Sequence, residues 1–327
     1  MSCLAANVAV VVSETVPMPK VRSFSLRRHW PWLLFAFFLL VAAVLTYTQH
    51  WLGQAQYWAD EDNFDQAERN ASIWLPGYRP VIQAKPLKDL EDDETSDLTY
   101  NPESKTLFTV TGKEPLLVEL SLDGEVLRRI ALIGFSNPEG VAMLSDGNMA
   151  ITDERRRTLS IFKLGPVALE LRAIDTREFD LGYAESGNKG FEGIAWDPAQ
   201  QRLLLGKERS PTALFSWSSD GTAGLEGQME PLPSDQLYMR NLSALSVDPR
   251  TGHSLVLSAQ SKLLLELDER GKPVSFISLF GGMNGLHESI PRAEGVAIDE
   301  EGTIYMVSEP NLFYVFRKDK TAEPDPS

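Results

Sequence analysis

Cysteine is almost missing from this chain: among 327 residues there is one, Cys3. Nothing after it can form a disulfide, bind a metal through sulfur or act as a thiolate, so stability must come from an apolar core. Histidine is scarce too, limited to His29, His50, His253 and His287, and the two shortages together disfavour a zinc or copper centre. Bases are outnumbered, 31 Lys and Arg against 46 Asp and Glu, for a formal charge of −15. A nucleic-acid partner, whose phosphates require a basic footprint, is therefore not expected. No G-x-S-x-G, P-loop or H-E-x-x-H motif occurs, which leaves serine hydrolysis, nucleotide binding and zinc proteolysis without support.

Long apolar runs are lacking as well, with one exception. Trp30–Tyr47, "WPWLLFAFFLLVAAVLTY", holds 18 residues without a charge, enough to cross a bilayer. Trp30, Trp32, Tyr47 and Trp51 flank it, where amphipathic rings favour the headgroup zone. Lys20, Arg22, Arg27 and Arg28 precede the run, and the first base after it is Arg69. The positive-inside tendency then keeps the N-terminus cytoplasmic and exports everything after about residue 50. A cleaved signal peptide is the rival, although its apolar region is usually shorter and no clean cleavage site follows. The expected layout is a cytoplasmic segment 1–29, an anchor 30–51, a polar spacer 52–77, a folded domain 78–318 and a disordered tail 319–327. Residues 1–50 carry a net +3, so the exported part carries −18. Such a domain suits cations, though acidity also serves solubility alone.

What the chain does have is a repeat. Five segments open alike, at Ser96 ("SDLTYNP"), Glu139 ("EGVAMLSDG"), Glu192 ("EGIAWDP"), Ser243 ("SALSVDP") and Glu294 ("EGVAIDEEG"), spaced by 43, 53, 51 and 51 residues. A turn and a second apolar run follow each, such as "KTLFTVTG" or "GTIYMVSE", then a third, and in the first four units a fourth. Four short strands per unit at this period predict an all-β, five-bladed β-propeller, with six blades as the rival if residues 165–190 or 219–241 conceal a further sheet. The fifth unit lacks a fourth strand. The stretch "YRPVIQAKPL" at 78–87 is expected to supply it and close the ring. "DEDNFDQAE" near residue 60 lacks the central glycine and third oxygen ligand of a calcium loop and is discounted.

In a propeller the first strand of each blade lines the axis, so Ser96, Glu139, Glu192, Ser243 and Glu294 should gather at one mouth of the channel. Glu154, Glu208 and Glu309 lie 15, 16 and 15 residues after Glu139, Glu192 and Glu294, which brings each back beside its partner across a two-strand hairpin. Six carboxylates at one mouth repel one another; some must take up protons, or a cation must neutralise them. Ca²⁺, which takes 6–8 oxygen ligands, is the ion this donor set suits. Asp153, Lys207 and Ser243 adjoin the ring as possible ligand contacts. Lys207, Arg155 and Arg209 could equally pair with the acids in a metal-free ring of salt bridges. Gly140, Gly193 and Gly295, one residue on, are expected to permit close backbone approach.

The strings "LTYNPESKTLFTVT", "PEGVAMLSDGNMAITDERR", "GFEGIAWDP", "KERSP" and above all "AEGVAIDEEGTIYMVSEPNLFYVF" resemble the SdiA-regulated (YjiK-like) bacterial family across about residues 78–316. The resemblance implies an N-terminally anchored envelope protein, held in the bacterial inner (plasma) membrane through residues 30–51 with its domain periplasmic or extracytoplasmic. It also implies a five-bladed propeller, distantly similar to NHL-repeat propellers, and a calcium site touching Glu139, Glu192, Glu294 and Glu309. Blade four, with Ser243 and "SAQS", departs from the acidic pattern. No biochemical activity comes with the family. The expected function is a Ca²⁺-structured module binding a small ligand or an envelope protein, rather than an enzyme. The alternative is a calcium-dependent hydrolase of a lactone or phosphoester.

Overall fold

The computed structural model describes residues 26–48, 51–91, 93–182, 190–209, 211–222 and 224–319. Two compact units emerge, residues 1–45 and 46–327. Helix α1 (Leu26–Thr48), most of it in the first unit, carries Trp30–Tyr47, and it is the one described helix long and apolar enough to cross a membrane. The large apolar side chains of Trp30–Tyr47 are exposed. The expected segment 1–29 falls mostly on residues 1–25, and the expected tail mostly on 320–327, both outside the described residues.

Residues 52–77, expected to be a spacer, fold onto the ring together with Trp51. Helix α2 (Trp51–Glu61) rests on the fourth blade, where Tyr57 donates to Gln236 O (2.6 Å), Phe276 N donates to Glu61 (2.8 Å) and the Trp58 and Phe276 rings stack at 6.0 Å. Asp65 caps α3 (Gln66–Ala71) in a reciprocal box with Glu68, so part of the discarded calcium-loop string is a helix cap. Past it, Ile73 N and Trp74 N donate to the buried Glu266 carboxylate at 2.8 and 3.0 Å.

Strand β1 (Tyr78–Pro86) then starts the sheets. Blade one is β2 (Thr95–Asn101), β3 (Thr106–Thr111), β4 (Leu116–Leu120) and β5 (Val126–Ile133). Blade two opens with β6 (Pro138–Met143), β7 (Asn148–Asp153) and β8 (Thr158–Lys163). The chain next sends β9 (Glu170–Arg172) back to pair parallel with β5, and only then completes blade two with β10 (Arg177–Asp180). Blade three is β11 (Phe191–Asp197), β12 (Arg202–Lys207), β13 (Ala213–Ser219) and β14 (Leu225–Leu232). Blade four is β15 (Ala244–Val247), β16 (Ser254–Ser258), β17 (Leu263–Leu267) and β18 (Pro273–Ser278). Blade five holds β19 (Ala293–Ile298), β20 (Ile304–Ser308) and β21 (Leu312–Lys318), with β1 as its outer strand. The stretches that might have hidden a sixth blade hold outer strands instead. The propeller has five blades.

Five apolar layers, one between each pair of neighbouring blades, form the core. Phe108 and Leu117 meet Met149 and Phe162 between blades one and two, for example, and Phe313 and Tyr305 meet Leu107 and Val118 between five and one. The middle strands β3, β16, β17 and β20 are therefore buried on both faces, while the outer strands β1 and β14 are largely exposed. That two-sided burial explains unbroken apolar runs such as "IYMV" at 304–307, since each fully buried side chain of this kind contributes about 1.5–3 kcal/mol.

The innermost strands β2, β6, β11, β15 and β19 touch in turn around the axis. Their glycines allow that approach: a Cβ on Gly193 would lie 2.8 Å from Ala244 C, and one on Gly295 would lie 2.6 Å from Asp97 C. We expect Gly193→Ala to cost about 2–3 kcal/mol by forcing two backbones apart. Gly165→Ala, whose new carbon would meet only Ala168 at 3.8 Å, should be close to neutral. Thermal unfolding of both variants checks the pair, and equal melting points would contradict the close-approach account.

Candidate functional site

At one end of the axis the inner strands start with a recurring irregularity. The ladder skips from Pro138 to Gly140, from Phe191 to Gly193 and from Ala293 to Gly295, leaving Glu139, Glu192 and Glu294 as the extra residues of three β-bulges. A bulge bends its strand and re-aims the unpaired side chain. Here it turns three carboxylates toward one mouth, where the charges of Glu139 and Glu294 raise the pKa of Glu192 and that of Glu139 raises Glu294.

Burial is the larger cause. It pushes Glu139 up to about 7, helped by the charges of Glu154 and Glu309, and Glu294 up to about 8, helped by Glu309, Glu139 and Glu208. Glu192 is driven well above its ordinary value by burial and by Glu208, Glu294, Glu139 and Glu154 together. Glu309 is raised by burial against the pull of Arg292. All six predicted carboxylates thus lie within electrostatic reach of the ring.

Each has its own company. Ser96 donates to Glu139 at 2.7 Å, and the Asn137 amide bridges Glu139 (2.6 Å) and Glu154 (3.0 Å). Gly190 N also donates to Glu154 at 3.1 Å. Arg292 stands 3.7 Å from Glu294 and pairs closely with Glu309, while Arg209 holds Glu208 at 2.6 Å. Glu192 has no hydrogen-bond donor among the described residues. Of the flanking residues, Lys207 is buried at the end of β12. Ser243, also buried, donates to Ala293 O at 2.9 Å and so ties blade four to blade five. Asp153 accepts from Ser136 N, Asn137 N and Arg156 N (2.6, 3.3 and 2.9 Å); it shapes the loop that carries Asn137 and is fully buried beneath it.

The floor of the mouth is a residue the repeat did not single out. Asp97 occupies the column filled elsewhere by Gly140, Gly193, Ala244 and Gly295. It is fully buried at φ +44°, and its carboxylate accepts from Leu98 N (2.8 Å), Val141 N (3.1 Å) and Ile194 N (3.3 Å). Val141 and Ile194 lie on the innermost strands of blades two and three, whose axial edges have no further strand to pair with. One side chain therefore ties three blades together across the axis. The sequence signal was the break in the glycine column. Asn137 and Arg292, also missed, precede the repeated Glu by two residues in "NPEG" and "RAEG".

A family model of SdiA-regulated proteins matches residues 70–317. The chain belongs to the SdiA-regulated family. Solved structures similar to this SdiA-regulated chain include the Myxococcus xanthus glutaminyl cyclase (18% identity, TM-score 0.48, covering 73% of this chain and 95% of that one). A Staphylococcus aureus virginiamycin B lyase with quinupristin is similar at 10% identity and TM-score 0.43, over 73% and 99% of the two chains. A chain of a nidogen/laminin complex is similar at 17% identity and TM-score 0.45, over 65% and 72%.

In this SdiA-regulated ring the donors at the mouth are hard oxygens, the kind that hold Ca²⁺. Among the described residues no three Asp, Glu, His or Cys groups converge as a ready-made metal cluster. Glu192 alone lacks a donor; the others would have to turn from Asn137, Arg292 or Arg209 to reach an ion.

Two outcomes are expected. Asp97→Ala strands buried N–H groups of three blades and should cost about 3 kcal/mol, with Asp97→Asn intermediate, as urea unfolding would measure. The second concerns pH. Glu139 and Glu294 have folded-state pKa values of about 7 and 8 against an ordinary 4.5, so the fold prefers them protonated. Their contribution to stability is present below about pH 4.5 and lost as pH rises toward 8. In chelator-treated protein the melting temperature should fall across that interval, and the double variant Glu139→Gln, Glu294→Gln should flatten the fall.

Proposed function

We propose that the chain is a tethered binding module of the bacterial envelope, held in the plasma membrane by residues 30–51 with its N-terminus cytoplasmic and its ring exported. On this reading the glutamate mouth holds Ca²⁺, and the ion-structured mouth binds a small ligand or an envelope protein. The observation that carries the proposal is the set of three bulge carboxylates, Glu139, Glu192 and Glu294, partly buried, with Glu192 within reach of the charges of the other two. Near neutral pH such a set takes up either protons or a cation. Glu192, the residue without a donor, would be the central ligand, with Glu139 and Glu294 completing the oxygen set and Glu208, Glu154 and Glu309 balancing charge around it. The −18 charge of the exported part would draw the ion in.

A second reading is a calcium-dependent hydrolase. The favouring observation is that Glu139 and Glu294 titrate at about 7 and 8, where a general acid or base is useful. Against it, His253 is bound to Glu266 at 2.7 Å in blade four, and His287 N is held by Gln83 at the ring's outer strand. Neither serves the mouth.

Calorimetric titration of Ca²⁺ into the full chain in detergent micelles should give one saturable site. Affinity should rise from pH 6 to pH 8 as protons leave the carboxylates, and Glu192→Gln should weaken it by at least about tenfold through loss of one charged ligand. No binding heat in the parent protein at pH 8 would sink the calcium reading. If calcium binds, turnover of lactone or phosphoester substrates that is lost in Glu294→Gln would favour the hydrolase over the binding module.

A further inference from the structure

The opposite end of the same inner strands encloses a cavity of about 430 Å³. A residue four positions after each column member lines it: Tyr100, Met143, Trp196, Val247 and Ile298, one from every blade. Four residues of strand place these five about 13 Å along from the glutamate mouth; Ile194 and Leu245 form the side of the cavity nearest that mouth, and the buried Leu98, Val141 and Val296 lie at the same level. The cavity's size falls within the roughly 300–1,000 Å³ of small-molecule sites.

The walls are built and braced. Gly221, at φ +78°, comes so close to the indole that a Cβ there would lie 2.6 Å from Trp196 Cζ2, and its carbonyl accepts from Ser145 N at 2.9 Å. Loops of blades two and three are thereby tied together against Trp196. Tyr100 is fixed from the other side by donating to Glu300 at 3.1 Å.

Every charged residue in the lining is an acid: Glu103, Asp146 and Glu300. Lys105 reaches Glu300 from outside at 3.5 Å, whereas Glu103 and Asp146 have no ion pair among the described residues. The three do not converge as a metal cluster. They rim a floor of indole, phenol, thioether and branched aliphatic groups. A hard ion would find no oxygen cage on that floor, and an anion would meet like charge. An organic cation meets aromatic faces and a negative rim together.

From this geometry we infer that the cavity at the far mouth is a binding site for a small organic cation, an aromatic or branched apolar body bearing a quaternary or protonated amine. The body enters between Trp196, Met143 and Ile298, and the cationic head stays at the rim beside Glu300, Glu103 and Asp146. The site is separate from the glutamate mouth and does not depend on calcium there.

Benzyltrimethylammonium is a suitable probe, because its charge does not change with pH. Added to the full chain in detergent micelles and followed by calorimetry and tryptophan fluorescence, it should bind saturably. The neutral isostere neopentylbenzene and the anion phenylacetate should bind at least tenfold more weakly. Glu300→Gln should weaken the ammonium probe by at least threefold, and Trp196→Ala should abolish both its binding and the fluorescence change. Glu192→Gln should leave ammonium binding intact, which keeps failure of this site distinguishable from failure of the calcium mouth. Should Trp196→Ala misfold, as circular dichroism would show, Trp196→Phe and Met143→Gln take its place with weakening expected in both. No saturable binding of the ammonium probe, equal affinity for the neutral isostere, or unchanged affinity in Glu300→Gln would each overturn the inference.

Discussion

Strand β1, from the start of the ring, runs antiparallel along β21, the last strand, from Tyr78 opposite Lys318 to Pro86 opposite Leu312. Tyr78 adds a hydrogen bond to Gly302 O (2.8 Å), and Asp319 N reaches back to Gly77 O (2.9 Å). This pairing joins two ends of the chain separated by more than two hundred residues. Without it blade five would lose its outer strand, and the apolar layer it shares with blade one would be free to part. Neither mouth of the channel exists unless the circle is shut, because each is assembled from all five blades.

Closure creates a problem at the axis that the two ends of the channel answer differently. Inner-edge N–H groups face one another with no strand between them, and the space is too narrow for side chains where Gly140, Gly193 and Gly295 sit. Asp97 fills that gap with a carboxylate that accepts from blades two and three. Above it, bulges turn glutamates inward and the charge accumulates. Below it, regular pairing resumes and large apolar and aromatic residues line a cavity. A single plug thus separates a polar mouth from an apolar one.

Much of the architecture was legible because a blade must bury both faces of its middle strands. That demand writes largely apolar runs such as "LVL" at 255–257 and "IYMV" at 304–307 at a fifty-residue period, and the count of five followed from them. The closing strand was legible by subtraction, since the fifth unit ran short. Other features left no such trace. Strand β9 leaves blade two to pair with blade one through only three residues, Glu170–Arg172, too few for any periodicity. Residues 52–77 read as a polar spacer because their anchoring groups, Tyr57, Glu61 and the backbone of Ile73 and Trp74, meet partners about 180 to 215 residues away.

The sequence alone determined the blade number, the apolar helix at the start and which residue types would recur at the head of each inner strand, because these are set by burial demands repeated along the chain. Only the tertiary structure decided where those side chains point and what they meet. A bulge is a mismatch between two strands, not a property of either one. Asp97 finds Val141 and Ile194 only after ring curvature has carried blades two and three around to it. The cavity at the far mouth likewise belongs to no segment: one residue from each blade lines it, and the turn at Gly221 holds its indole wall in place.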